Sequence, residues 1–84
     1  MPYINHENRQ IPRLIGLGAA AENAGDLNYI FTVIIKEYFH QEGKGNYQAI
    51  NDIVGALEGA KAEFQRRVVG PYEDSKIISN GDVY

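Results

Sequence analysis

Apolar residues recur at three- and four-residue spacing along most of the chain, which is the period of an amphipathic helix. The clearest pattern predicts a long helix from Asn46 to Val69, with Asn46 as the N-cap and Gly70-Pro71 as the stop. Its apolar stripe is formed by Ile50, Ile53, Val54, Leu57, Phe64 and Val68.

A second helix is predicted from Leu27 to about Glu42, with Gly25 ending the helix before it and Asp26 as its N-cap. A broad apolar face suits a protein core and consists of Leu27, Ile30, Phe31, Ile34, Ile35 and Tyr38. We interpret the row on roughly the opposite side as solvent-facing, and it consists of Tyr29, Val33, Lys36 and His40.

Two further helices complete the predicted fold. The first helix opens at Pro12, since a missing amide is tolerated in a first turn. Its face is marked by Ile11, Leu14, Ile15, Gly18 and Ala21. A short last helix spans Pro71–Ser79 and ends at Gly81.

The expected fold is therefore all-α, either a small three-helix bundle or a helical hairpin, with a short C-terminal helix and an irregular tail. Residues 1–84 are predicted to form a single helical domain. Its expected parts are an N-terminal arm (1–10), a helical core (11–69), and a short helix with the tail (70–84).

The composition argues against several classes of function. A chain of 84 residues can build one modest core, and without cysteine it has neither disulfides nor a thiolate nucleophile. A net charge of -3 is atypical of a nucleic-acid-binding domain. No apolar run is long enough for a membrane span or a signal peptide, so we expect a cytoplasmic protein.

The sequence contains no recognisable catalytic or metal-binding motif. His6 and His40 lack the paired spacing of a zinc site, and no histidine lies near the hydroxyl residues in sequence. Gly16 and Gly18 follow no strand, so they do not form a phosphate-binding loop. We expect no metal, no cofactor and no enzymatic activity.

The long helix carries a second candidate surface. Gly55, Gly59 and Ala62 cluster opposite Phe64 and leave room for a second helix, most simply that of another subunit. Alternatively, the glycines merely weaken a solvent-facing side. Lys61 falls inside the apolar stripe, where its ammonium either extends to the rim or meets an acidic side chain or a bound anion.

Arg66 and Arg67 indicate a possible ligand site. The guanidinium fork suits phosphate groups and flat rings, and Tyr72 lies just beyond the two arginines. Alternatively, the arginines complement the negative end of the helix or pair with Glu63. The predicted ligand-binding residues are Asn28, Tyr29, Lys61, Arg66, Arg67 and Tyr72.

Several sequence blocks resemble an uncharacterised family of small bacterial and phage proteins, a domain of unknown function. The most distinctive is the tail, Pro71-Tyr72-Glu73-Asp74 followed by Asn80-Gly81-Asp82-Val83-Tyr84. The others are Pro2-Tyr3-Ile4, Gly25-Asp26-Leu27-Asn28-Tyr29, Gly55 to Lys61, and Arg66-Arg67. The resemblance implies a bacterial or phage setting and no established activity.

Two hypotheses follow. The first is a non-enzymatic homo-oligomer that binds a small anionic, nucleotide-like ligand, in the manner of phage anti-defence proteins that sequester immune signal molecules. In a bundle this small, such a site is expected between subunits or under the tail. The second is a protein-interaction module that docks on a host protein and inhibits it, through the Gly55, Gly59 and Ala62 surface or the tail.

Overall fold

The structure, a computed structural model, describes residues 3–8 and 16–84. These residues are mainly helical, and no strand occurs among them. The prediction of a small all-α protein is thereby confirmed. After a 3₁₀ turn at His6–Asn8, the elements are α1 (Leu17–Ala20), α2 (Ala24–Phe39), α3 (Tyr47–Phe64), a π-helical turn (Gln65–Val69) and α4 (Gly70–Asn80).

The predicted first helix can be compared with the structure only in part. Its expected opening at Pro12, together with Ile11, Leu14 and Ile15, lies outside the described residues. The described segment contains the single turn α1, preceded by Gly16 at a φ of 94°. This left-handed conformation costs glycine nothing sterically.

Helix α2 begins earlier than predicted. Asn23 is its N-cap, and the Asn23 side chain accepts a hydrogen bond from the backbone N–H of Asp26 at 2.8 Å. The Asp26 carboxylate in turn accepts from the backbone N–H of Glu22 at 3.0 Å. Two polar side chains thus satisfy free amides on both sides of the helix start. The prediction that Asp26 is the N-cap was wrong, and Gly25 lies inside the first turn instead of ending a helix.

The other end of α2 also differs from the prediction. The helix ends at Phe39 instead of Glu42. Gly43 and Gly45 follow with φ values of 80° and 81°. These left-handed backbone conformations cannot continue a right-handed helix, so the link to α3 is longer than expected.

The predicted start of α3 is confirmed. The Asn46 side-chain oxygen accepts from the backbone N–H of Ala49 at 2.9 Å, and the Asn46 carbonyl accepts from the N–H of Ile50 at 3.1 Å. This is the N-cap arrangement that asparagine favours. Ala49 is also the one buried residue among those described, with 2% of its surface exposed.

The predicted stop at Gly70-Pro71 is wrong. Gly70 has helical angles (φ -55°, ψ -55°), and its N–H donates to the carbonyl of Gln65, five residues earlier. In a plain α-helix, the Pro71 ring would clash with the carbonyl four residues back. The wider π turn relieves this clash, so the helix continues into α4 with proline in its first turn.

The end of α4 agrees with the sequence. Gly81 has a φ of 89°, and its N–H donates to the carbonyl of Ile77 at 2.9 Å. The helix itself reaches Asn80, one residue beyond the predicted Ser79. In the tail, the backbone N–H of Tyr84 donates to the Asp82 side chain at 2.9 Å, which forms a local turn.

The chain divides into two compact units, each treated on its own below. The N-terminal unit is Tyr3–Ile53, and the C-terminal unit contains Val54–Tyr84. The prediction of a single domain remains a prediction. Among the described helices, none is long and apolar enough to cross a membrane.

Candidate functional site

Asn28 and Tyr29 lie side by side on α2 in the N-terminal unit. The backbone carbonyl of Asn28 accepts a hydrogen bond from the Thr32 hydroxyl at 2.9 Å, and the Asn28 side-chain oxygen lies 3.4 Å from the same hydroxyl. Tyr29 is 70% exposed. Both side chains are therefore accessible from solvent, and Asn28 is partly engaged within its own helix.

The other four predicted ligand-binding residues belong to the C-terminal unit. Lys61 is exposed, which agrees with a side chain that extends to the rim of the stripe. No hydrogen bond or ion pair joins Lys61, Arg67 and Tyr72 in the described part of the chain. Each is presented from the same helical run, but the structure does not gather them into one cavity.

Arg66 and Glu63 form an ion pair across one turn. The Arg66 Nε donates to Glu63 Oε2 at 3.4 Å, and the Arg66 Nη2 contacts Glu63 Oε1. The Glu63 side chain is 22% exposed and the Arg66 side chain 62%. The predicted pairing of Glu63 with an arginine is confirmed. A pair this exposed contributes only about 0.2–1 kcal/mol, and it occupies the guanidinium of Arg66.

Tyr72 has a cationic neighbour that the sequence reasoning did not identify. The Lys76 Nζ lies 5.5 Å from the centroid of the Tyr72 ring. Lys76 follows Tyr72 by four residues on α4, so helical spacing alone could have indicated the contact. A second such contact occurs in the N-terminal unit, where the Nζ of Lys44, in the link after α2, lies 4.9 Å from the Tyr38 ring centroid. Both contacts are cation–π interactions.

The small residues predicted as an oligomer interface differ in exposure. A side chain placed at Gly55 would meet nothing within 4 Å. Ala62 is exposed and Gly59 is half-buried. The space at Gly55 leaves room for another helix, but an interface there remains a prediction.

An open depression of about 300 Å³ lies on α2. It is lined by Val33, Lys36, Glu37 and His40. Three of these belong to the row that we interpreted as solvent-facing, and none belongs to the predicted ligand-binding set. These residues are three and four positions apart and therefore share one face of the helix. Their spacing in the sequence could have predicted that they line a common surface.

Residues 3–8 and 16–84 contain no recognisable metal-binding site. No group of three or more histidine or acidic side chains there could hold a metal ion.

A family model matches residues 1–83, and its description is a domain of unknown function (DUF6899). No curated protein matches the chain. No solved structure matches it either.

Proposed function

We infer the function of this chain, which belongs to the DUF6899 family of unknown function, from its own residues. We propose that it is a non-enzymatic, homo-oligomeric binding protein for a small anionic, nucleotide-like ligand. The proposed setting is the cytoplasm of a bacterium or a phage-infected cell, where the protein sequesters a signal molecule as an anti-defence protein.

One observation supports oligomerisation most strongly. The described residues of the C-terminal unit form a single helical run and a tail, so the unit has no second helix of its own to cover its apolar side. Leu57, Phe64 and Val68 are 43%, 59% and 51% exposed. Because helix stability in proteins comes mainly from packing of the apolar face, this stripe needs a cover. A second copy is the simplest source.

The two arginines support the ligand class. Glu63 occupies the guanidinium of Arg66, whereas Arg67 takes part in no ion pair among the described residues. A guanidinium fork matches phosphate oxygens and stacks on flat rings. Both arginines lie in the π turn, a feature often found at functional sites. We propose that Arg67 is the main contact to the ligand and that a second copy completes the site.

Light scattering coupled to size-exclusion chromatography tests the oligomer. We expect a mass at least twice that of the 9.4 kDa chain. A monomer at every concentration up to the millimolar range would contradict the proposal. Thermal-shift measurements with cyclic dinucleotides and ADP-ribose derivatives test the ligand class. If the protein is an oligomer but none of these compounds stabilises it, the proposed ligand class is contradicted and the proposed oligomer stands.

A second candidate function is supported by the exposed C-terminal end. Ile78 and Val83 are 87% and 91% exposed, and Tyr84 is fully exposed. Val83 and Tyr84 are adjacent in the tail, and exposed apolar residues that cluster mark interaction surfaces. We propose as the alternative that this end docks on a host protein and inhibits it. Capture of one host protein by the wild type, and its loss on V83S/Y84S, would favour this function over ligand binding.

A further inference from the structure

Two oppositely charged residues of the C-terminal unit lie on the same edge of its helical run, Lys61 on α3 and Glu73 on α4. Both are exposed, and neither forms an ion pair within the described residues.

The π turn is what brings Lys61 and Glu73 to the same edge. Lys61 and Glu73 are separated by twelve residues, which in a plain α-helix would set them about 120° apart around the axis. The π turn at Gln65–Val69 contains roughly one residue more than an α-helical turn. Relative to an uninterrupted α-helix, every side chain after it is therefore rotated back around the helix axis by about 100°. Lys61 and Glu73 are thus nearly aligned.

The same turn straightens the apolar stripe. Phe64 lies before the π turn and Tyr72 in the helix after it, and by the same geometry they fall within about 20° of each other. With Leu57 and Val68 they form a continuous stripe along the run, and Tyr72 is 58% exposed. The charged edge therefore flanks a straight apolar stripe, as in a helix that pairs with another helix.

Lys61 and Glu73 are placed symmetrically about Arg67, six residues before it and six residues after it. Arg67 is also the middle residue of the π turn. In an antiparallel pair of identical helices related by a twofold axis at Arg67, the same edges of the two copies face each other. Lys61 of each copy then meets Glu73 of the other.

We propose that a second copy of this chain covers the stripe in this arrangement, as an antiparallel dimer with its twofold axis at the π turn. The proposal rests on the oligomer proposed above and specifies its interface. Leu57, Phe64, Val68 and Tyr72 supply the apolar contact. Lys61 and Glu73 fix direction and register, because in a parallel pairing about a twofold axis the charged edge of one copy faces the opposite edge of the other, and the two residues would not meet.

Charge exchange tests the register. By symmetry, K61E reverses two cross-dimer contacts, as does E73K, so each is expected to raise the dimer dissociation constant roughly tenfold or more at low salt. K61E/E73K restores both contacts with their signs exchanged and should recover most of the affinity. Sedimentation velocity over a concentration series measures the constants. D74K is the matched control on the opposite side of α4 and should leave dimerisation unchanged.

A cross-link gives an independent measurement. The chain lacks cysteine, so V68C introduces a single thiol in the stripe beside the proposed axis. We expect a V68C dimer to oxidise to a disulfide, whereas D74C should not. Circular dichroism confirms that each variant is helical. Oligomers that show neither recovery by K61E/E73K nor the V68C cross-link would overturn this interface while leaving the proposed oligomer intact. A strict monomer would overturn both.

Discussion

The backbone N–H of Gly70 donates to the carbonyl of Gln65, five residues earlier, where an α-helix would use the carbonyl of Arg66. This bond defines the π turn. Pro71 comes next, has no N–H of its own, and would press its ring against the Arg67 carbonyl in a regular α-helix. The turn therefore accommodates proline without ending the helix.

Pro71→Ala should separate helix stability from association. Alanine removes the steric reason for the π turn and is the better helix former, so the helical signal should be unchanged or increased. A regular α-helix, however, rotates Tyr72 and Glu73 away from Phe64 and Lys61. We expect dimerisation to weaken while circular dichroism at 222 nm does not fall. Asp74→Ala is the matched control on the opposite side of α4, and association unaffected by P71A would contradict the role of the turn.

Asn23→Ala should destabilise the N-terminal unit by about 1 kcal/mol, because the side-chain acceptor for the Asp26 amide is lost. Asn23→Asp keeps an acceptor at the N-cap and should cost little. Urea unfolding followed by circular dichroism measures both. Equal destabilisation by the two variants would show that the cap is not the cause.

Ala49→Leu should destabilise the same unit by about 1–3 kcal/mol, since a larger side chain must be accommodated where only 2% of the residue is exposed. Ala56→Leu is the matched control, because Ala56 lies on the same helix and is exposed. The midpoint of urea unfolding is the measurement. We expect a clear decrease for A49L and little change for A56L. A tolerated leucine at residue 49 would mean that the site has room to expand.

Local signals explain which helix boundaries could be predicted. Asn46 follows a glycine-containing link and precedes a clear stripe, so its role as the N-cap was evident. Asn23 and Asp26 are both good capping residues, and the sequence offers no way to choose between them when each satisfies a different amide. Gly70-Pro71 matches a helix stop by local rules, which do not include a π turn.

The candidate site was harder to predict than the fold. Periodicity identified Leu57, Phe64 and Val68 as one stripe, but it contains no information about what covers that stripe. The π turn also changed which residues share a face, so the sequence pattern did not associate Glu73 with Lys61. The pairing of Arg66 with Glu63 was anticipated because it depends only on spacing within one turn.

Arg67→Gln should separate ligand binding from assembly. Arg67 directly precedes Val68 and lies on the edge of the stripe opposite to Lys61 and Glu73. The proposed twofold axis brings the two Arg67 guanidinium groups of the dimer toward each other. Two like charges repel unless an anion lies between them, so the ligand-free dimer should be no weaker in R67Q than in the wild type.

The same substitution should abolish stabilisation by a nucleotide-like ligand, because the phosphate would lose its guanidinium contact. Thermal-shift and sedimentation measurements on one preparation test both expectations. Arg66→Gln removes the same charge from a residue already paired with Glu63 and should retain most of the ligand response. If R66Q and R67Q lose it equally, the response reflects overall charge, and Arg67 has no specific role in recognition.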